Sequence, residues 1–176
     1  MEYLNIDGQR IEYQRINAEN RQGPTLVFLH HGLGCVGTWR DFPQRICQAT
    51  GLPGFVYSRA GYGGSESVSW PRPADYINNE AITVLPKVLH QAGIRDAILF
   101  GHSDGGSIAL IYAGAIATGV RAVVVEAAHL YVEQSNIDAI SATLEAFEQN
   151  DLRQKLQKHH GSNVDCAYYG WRESWL

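Results

Sequence analysis

The chain has 176 residues, of which 45% are hydrophobic and 18% are charged, a composition that suits one compact domain with a buried core. Its formal net charge of -4 offers no basic field for phosphates, so we expect no nucleic-acid partner. No apolar run reaches membrane-spanning length, and the polar start "MEYLNIDGQR" is not typical of a signal peptide, so we expect a cytoplasmic protein with no membrane partner. The spacing of Cys35, Cys47 and Cys166 predicts small buried thiols, with no disulfide and no metal site.

The predicted strands come first as a hairpin and then as isolated apolar runs. Apolar and polar residues alternate on both sides of Asp7 and Gly8, which predicts a β-hairpin with a short turn. Four later runs are continuously apolar, as in strands buried on both faces of a parallel sheet: residues 25–31, 54–58, 96–101 and 121–127.

Helical patterns separate these runs. Thr38, with Asp41 three residues later, resembles a helix cap and predicts a helix over residues 38–49. Residues 73–93 carry one apolar face that ends at Gly93, with a kink predicted at Pro86, and a third helix is predicted over 104–118. Strands that alternate with helices indicate a mainly parallel sheet with helices on both faces.

The loop after the first buried strand reads "GLGCVG" at residues 32–37 and fits the pattern GxGxxG. As a dinucleotide fingerprint, its glycines would let the backbone approach a pyrophosphate at a helix N-terminus. Arg59, after the next strand, would then accept a 2′-phosphate. This pattern keeps an NADP-dependent oxidoreductase as one alternative.

A second glycine motif, "GHSDG" at residues 101–105, matches the nucleophile elbow GxSxG. A sharp strand-to-helix turn projects the serine hydroxyl above the sheet, and it needs small neighbours such as Gly101, Gly105 and Gly106. The alternative is a glycine-rich turn in which Ser103 caps a helix. A nucleophilic Ser103 would also need an oxyanion hole made by two backbone N–H groups.

Those two N–H groups would belong to Asp104, directly after the serine, and to Leu33 in the earlier glycine loop. His31, Gly32 and Gly34 would then lie at the substrate. One hydrolase site explains both glycine loops, whereas the dinucleotide interpretation leaves the elbow unexplained.

Three motifs in this order, "LHHGLG", "YSRAGYGGS" and "GHSDGG", resemble those of the α/β-hydrolase family. Ser58 departs from the family, in which many members carry an acidic residue there. The resemblance implies an α/β fold class, with the N-terminal part of a mainly parallel hydrolase sheet and its flanking helices. It also implies a serine hydrolase without metal or other cofactor, acting on a small-molecule ester, lactone or carbon–carbon bond substrate.

The family order places an acid and then a histidine on loops after later strands. After Ala128 we find no further strand that is followed by such an acid or by a late histidine. Glu126 is the best candidate acid, because members resembling haloalkane dehalogenases carry theirs after this strand; it equally fits a strand-end glutamate or a partner of an arginine. His129 could reach the cleft, or it could be an ordinary loop residue. No histidine is a convincing base among the other six, which are His30, His31, His90, His102, His159 and His160.

Residues 129–176 carry an apolar helical stripe and predict a partial helical lid on a core formed by residues 1–128. We therefore expect the first part of a longer hydrolase, with little or no turnover by this chain alone. Its last strand would be an exposed edge that favours self-association. A non-catalytic ligand-binding or interaction protein on a hydrolase scaffold stays open as an alternative.

Overall fold

A computed structural model describes residues 2–19 and 23–176 of the chain. The described residues form one sheet with the strand order β1-β2-β4-β3-β5-β6. The strand bounds are β1 Glu2–Ile6, β2 Gln9–Ile16, β3 Thr25–Leu29, β4 Gly54–Tyr57, β5 Ala97–His102 and β6 Val120–Glu126.

The strand pairing confirms the predicted hairpin and the mainly parallel sheet. β1 and β2 pair antiparallel around a turn in which Asp7 and Gly8 both have positive φ, of 52° and 87°, as the tightest hairpins require. β2 also pairs antiparallel with β4, whereas the β4-β3, β3-β5 and β5-β6 pairs are all parallel. The loops that follow the parallel strands therefore meet at one edge of the sheet.

The first predicted helix is wrong at its start. Thr38 lies in a 3-10 helix, Val36–Trp39, where its hydroxyl accepts the Cys35 N–H at 2.9 Å and donates to the Cys35 carbonyl at 2.8 Å. Helix α1 begins only at Phe42 and runs over Phe42–Thr50, with Pro43 in its first turn. Proline suits that position because the N–H it lacks has no partner in a first turn.

The helix predicted over residues 73–93 is irregular near Pro86, as the sequence indicates. It consists of α2 Tyr76–Asn79, a π-helical turn Glu80–Val84 and α3 Leu85–Gln91. Pro86 cannot donate the usual bond to the residue four positions earlier, and the wider turn comes directly before it.

The next helix is α4, Asp104–Ala115, which starts immediately after Ser103. Helices α3 and α4 cover one face of the sheet around Val27, Leu29, Phe55, Tyr57 and Leu99. On the opposite face of the sheet, Phe28 of β3 and Val56 of β4 pack against Cys47 of α1. All three cysteines are buried free thiols, as predicted.

Residues 129–176 are helical in three further segments, α5 Gln134–Glu148, α6 Leu152–His160 and α7 Val164–Trp175, with a 3-10 turn Gly161–Asn163 before α7. Phe147 and Tyr168 stack at 3.6 Å, and Leu33 of the core packs against the same cluster. The division into a core of residues 1–128 and a lid of 129–176 stays a prediction. None of the helices in the described ranges combines the length and apolar composition needed to cross a membrane.

Candidate active site

Ser103 occupies the turn between β5 and α4 with an unusual backbone conformation. Its φ is 52° and its ψ is -120°, a combination rare for residues other than glycine and costly unless the surroundings hold it. The Ser103 N–H donates to the Glu126 carbonyl at 2.8 Å, and its own carbonyl accepts the N–H of Gly106 at 2.8 Å. The hydroxyl is half-buried and makes no hydrogen bond within the described parts of the chain.

The glycines around Ser103 are required by close backbone approaches. A Cβ on Gly105 would overlap the Leu29 carbonyl of β3, and a Cβ on Gly101 would overlap the Gly105 carbonyl. At Gly106 an added Cβ would lie 3.0 Å from that of Ala128. The first turn of α4 therefore sits directly on the ends of β3 and β5, as the elbow motif predicts.

The predicted oxyanion donors lie on the loops that follow β3 and β5, which are neighbouring strands paired at Leu29 and Gly101. The Leu33 N–H donates to Nδ1 of His31 at 3.3 Å, a long and therefore weak bond. Asp104 is the first residue of α4, so its N–H lacks a partner in the helix.

The loop over residues 30–34 presses against α7. A Cβ on Gly32 would overlap the indole of Trp171, and one on Gly34 would come within 2.9 Å of the His30 Cβ. The His31 ring lies 5.2 Å from that of His102. Burial lowers the pKa of His31 from 6.5 to about 4, so this ring is neutral at pH 7.

The buried side chain of Arg59, with 1% of its surface exposed, contacts the loop over residues 30–34. Its guanidinium donates to the carbonyls of His30 at 2.7 Å and His31 at 3.1 Å. The Arg59 N–H donates to Nε2 of His30, so the His30 proton is on Nδ1 and is donated to the His31 carbonyl. Arg59 is thus buried and bonded within the protein, so it does not offer the 2′-phosphate contact that the alternative of an NADP-dependent oxidoreductase would need.

The Asp104 carboxylate is buried and points away from solvent into a polar chain. It accepts the Tyr76 hydroxyl at 2.6 Å, and that hydroxyl in turn accepts the indole N–H of Trp175 at 3.0 Å. Arg59 lies 4.0 Å from the same carboxylate oxygen. No sequence pattern indicated the hydrogen bond between Tyr76 and Trp175, because the two residues are 99 positions apart.

Glu126 and His129, the other two predicted site residues, are not brought to the Ser103 hydroxyl by any hydrogen bond. Glu126 ends β6 with an exposed side chain that has no hydrogen bond or ion pair within residues 2–19 and 23–176. The His129 ring packs 5.3 Å from Trp175, and its backbone N–H donates to the Ser107 hydroxyl at 3.1 Å. Among the described residues no group of three or more His, Cys, Asp or Glu side chains is placed to hold a metal ion.

Comparison with known proteins gives one consistent result. A model of the alpha/beta hydrolase family matches residues 26–173. Proline iminopeptidase from Lactobacillus helveticus is 30% identical over 100 residues, which is 57% of this chain and 34% of the relative. The match to this curated relative thus spans about a third of its length.

Solved structures show the same fold at low identity. The esterase EaEST from Exiguobacterium antarcticum has a TM-score of 0.71 at 19% identity, covering 98% of this chain and 71% of the esterase. The enol-lactonase from Burkholderia xenovorans LB400 has a TM-score of 0.66 at 16% identity, covering 99% of this chain and 70% of the lactonase.

Proposed function

Since the chain belongs to the alpha/beta hydrolase family, we propose that it carries the serine nucleophile of a hydrolase at Ser103. The observation that carries the proposal is the φ of 52° at a serine in the turn between β5 and α4. That conformation costs about 1–3 kcal/mol and aims the side chain away from the sheet, where a substrate can approach it.

The Ser103 oxygen bonds to a carbonyl carbon and gives its proton to a base or to water, while the carbonyl π bond breaks and leaves negative charge on the carbonyl oxygen. When the C=O bond forms again the leaving group departs with a proton, and water then releases the acyl group from Ser103. The N–H groups of Leu33 and Asp104 donate to this oxyanion. A substrate oxygen would replace the 3.3 Å contact between the Leu33 N–H and the His31 ring. Because that contact is weak, little is lost when it breaks. His31, Gly32 and Gly34 border the site on this side.

The substrate is a small molecule with an ester, a lactone or a carbon–carbon bond next to a carbonyl. An esterase and an enol-lactonase share the fold, and a proline iminopeptidase shares part of the sequence. Cleavage of an ester, a lactone or a peptide bond passes through a tetrahedral oxyanion, so one pair of N–H donors serves all of them. We propose no metal or other cofactor.

Turnover by this chain alone is expected to be low. A serine hydroxyl is a weak nucleophile near neutral pH unless a base accepts its proton. No histidine ring is hydrogen-bonded to Ser103 in the described ranges, and we propose Glu126 only as an acid that would orient such a base. Oxyanion donors without a base still leave some catalysis over water.

The test is covalent labelling by a fluorophosphonate, followed by intact mass and peptide mapping. We expect slow labelling at one site, Ser103, and none in Ser103→Ala. Ser141→Ala, which removes an exposed serine of α5, is the matched control and should be labelled like the wild type. Label on another residue, or label that persists in Ser103→Ala, would refute the nucleophile. Rapid stoichiometric labelling would refute the expectation of low turnover.

A non-catalytic ligand-binding protein on the same scaffold is the second candidate. It is favoured by the Ser103 hydroxyl, which has no hydrogen-bond partner within residues 2–19 and 23–176. A cavity of about 340 Å³ that Ser103 does not line, bordered by Tyr76, His129 and Trp175, offers an aromatic binding site. Saturable binding of an ester analogue that is unaffected by Ser103→Ala, without turnover, would favour this candidate.

A further inference from the structure

His160, at the end of α6, has a buried side chain that joins two loops of the candidate site. Only 2% of its surface is exposed. Its Nδ1 accepts the backbone N–H of Gly63 at 3.0 Å, so the ring proton is on Nε2 and is donated to the Leu33 carbonyl at 3.1 Å. Burial lowers the pKa of His160, which keeps this neutral form at pH 7.

The two loops that His160 joins are those after β3 and β4. Leu33 belongs to the first loop, and its side chain packs in the same apolar cluster as Phe147 and Tyr168. Gly63 belongs to the second loop and has a φ of 52°. The residue whose N–H is the proposed oxyanion donor is therefore held at its carbonyl by His160 and at its side chain by the helices of residues 134–175.

We propose that His160 is a positioning residue for the oxyanion hole. Its imidazole fixes the peptide plane that follows Leu33, and the apolar cluster fixes the Leu33 side chain. Together the two contacts restrict the backbone torsions of Leu33 and so the direction of its N–H. His160 does not touch the reacting atoms. The inference rests on the proposed function, because Leu33 is a donor only if Ser103 is attacking a carbonyl.

Asn163 offers a matched control at the same junction of α6 and α7. Its side-chain amide donates to the carbonyls of Gly63 at 3.1 Å and Ser65 at 2.6 Å. Asn163→Ala therefore loosens the glycine loop without removing a contact to Leu33. His160→Gln is the conservative variant, because its amide retains one acceptor for Gly63 and one donor for Leu33.

The first experiment measures slow fluorophosphonate labelling of Ser103 over a range of reagent concentrations, which separates the maximal rate from the half-saturating concentration. We expect His160→Ala to lower the maximal rate about 10-fold or more with little change in half-saturation, since a misdirected oxyanion donor mainly affects the reaction step. His160→Gln should restore most of the rate, and Asn163→Ala should retain it. If His160→Ala does not fold, His160→Phe takes its place.

The second experiment measures amide hydrogen exchange of the loop over residues 30–36, which does not depend on Ser103. Faster exchange in His160→Ala, but not in His160→Gln, is expected. An unchanged labelling rate would overturn the positioning role, whether or not exchange is faster. If the wild type is not labelled at all, the proposed function fails. In that case the exchange of residues 30–36 still tests the contact between His160 and Leu33. Unchanged exchange in His160→Ala would overturn that contact as a constraint on the loop, and faster exchange would support it.

Discussion

At the scale of single residues, Gly105 marks the closest approach between α4 and the end of β3. A side chain there would overlap the Leu29 carbonyl, which belongs to a strand in the middle of the sheet and cannot move aside. Gly114 lies in the same helix, is exposed, and has nothing within 4 Å of its missing Cβ. The two positions separate the steric requirement of the elbow from the general cost of glycine in a helix.

We therefore predict opposite effects of the same substitution. Gly105→Ala should lower the free energy of unfolding by about 3 kcal/mol, because overpacking displaces backbone on both sides. Gly114→Ala should raise it by about 0.5–1 kcal/mol, because alanine loses less conformational freedom in a helix. Urea denaturation of both variants and the wild type measures this. Equal effects at the two positions would contradict the close approach at Gly105.

Buried His30 and partly buried His31 predict a dependence of stability on pH. Burial lowers the pKa of His30 well below 6.5 and that of His31 to about 4. Below pH 6.5 the unfolded chain therefore binds protons that the folded chain does not, and the free energy of unfolding decreases as the pH is lowered. Their contribution is complete above pH 6.5 and is lost on acidification toward pH 4, by up to about 1.4 kcal/mol per pH unit for each ring.

Urea midpoints measured from about pH 7.5 down to about pH 5 check this slope. His31→Asn should flatten it, whereas His90→Asn, at an exposed position of α3, should leave it unchanged. Burial raises the pKa of Glu80, which acts in the opposite direction, so each variant is compared with the wild type at the same pH. A wild-type midpoint that does not fall on acidification would contradict the prediction.

Local motifs were enough to predict some residues of the site and not others. Ser103 and the glycines around it were predictable because the elbow is a short stretch of sequence with its own steric rule. The sequence places His160 only among the histidines that are not a convincing base, and its contact with Leu33 spans 127 positions. No periodicity or spacing encodes such a pair. Buried polar contacts of this kind require the structure.

At the scale of elements, the strands of the sheet were predicted to within a few residues because continuous apolar runs reflect burial on both faces. The start of α1 was not, since Thr38 satisfies its hydroxyl within a 3-10 turn and Pro43 sets the true beginning. The apolar stripe of α5 indicated a helix with a buried side. It did not indicate that α7 would pack Trp171 onto Gly32.

At the scale of the whole molecule, β6 is an edge strand of the sheet, as predicted. It pairs with β5 on one side, and Val124 and Val125 remain 44% and 40% exposed. Leu130, Tyr131 and Val132 follow it and are more exposed still. An edge with free backbone groups and apolar side chains is a template for pairing with another chain.

We predict that a second copy of this chain pairs with that edge, so that the protein self-associates. Light scattering should give a mass above that of one chain, and Val124→Lys should lower it, because a charge on an edge strand opposes pairing. Ile82→Lys changes a residue of similar exposure, 48%, on the π-helical turn and serves as the control. A monodisperse monomer in the wild type would contradict the prediction.

The strained backbone at Ser103 also connects reactivity with folding. Its φ of 52° is maintained by the carbonyl of Glu126 and by the first turn of α4, each of which depends on the assembled sheet. In an unfolded or locally opened chain this residue adopts an ordinary backbone conformation, and the strain energy is released. Any chemistry that needs the strained geometry then reports the fraction of molecules in which β5, β6 and α4 are in place. The serine is in this sense a probe of conformational integrity at the centre of the sheet.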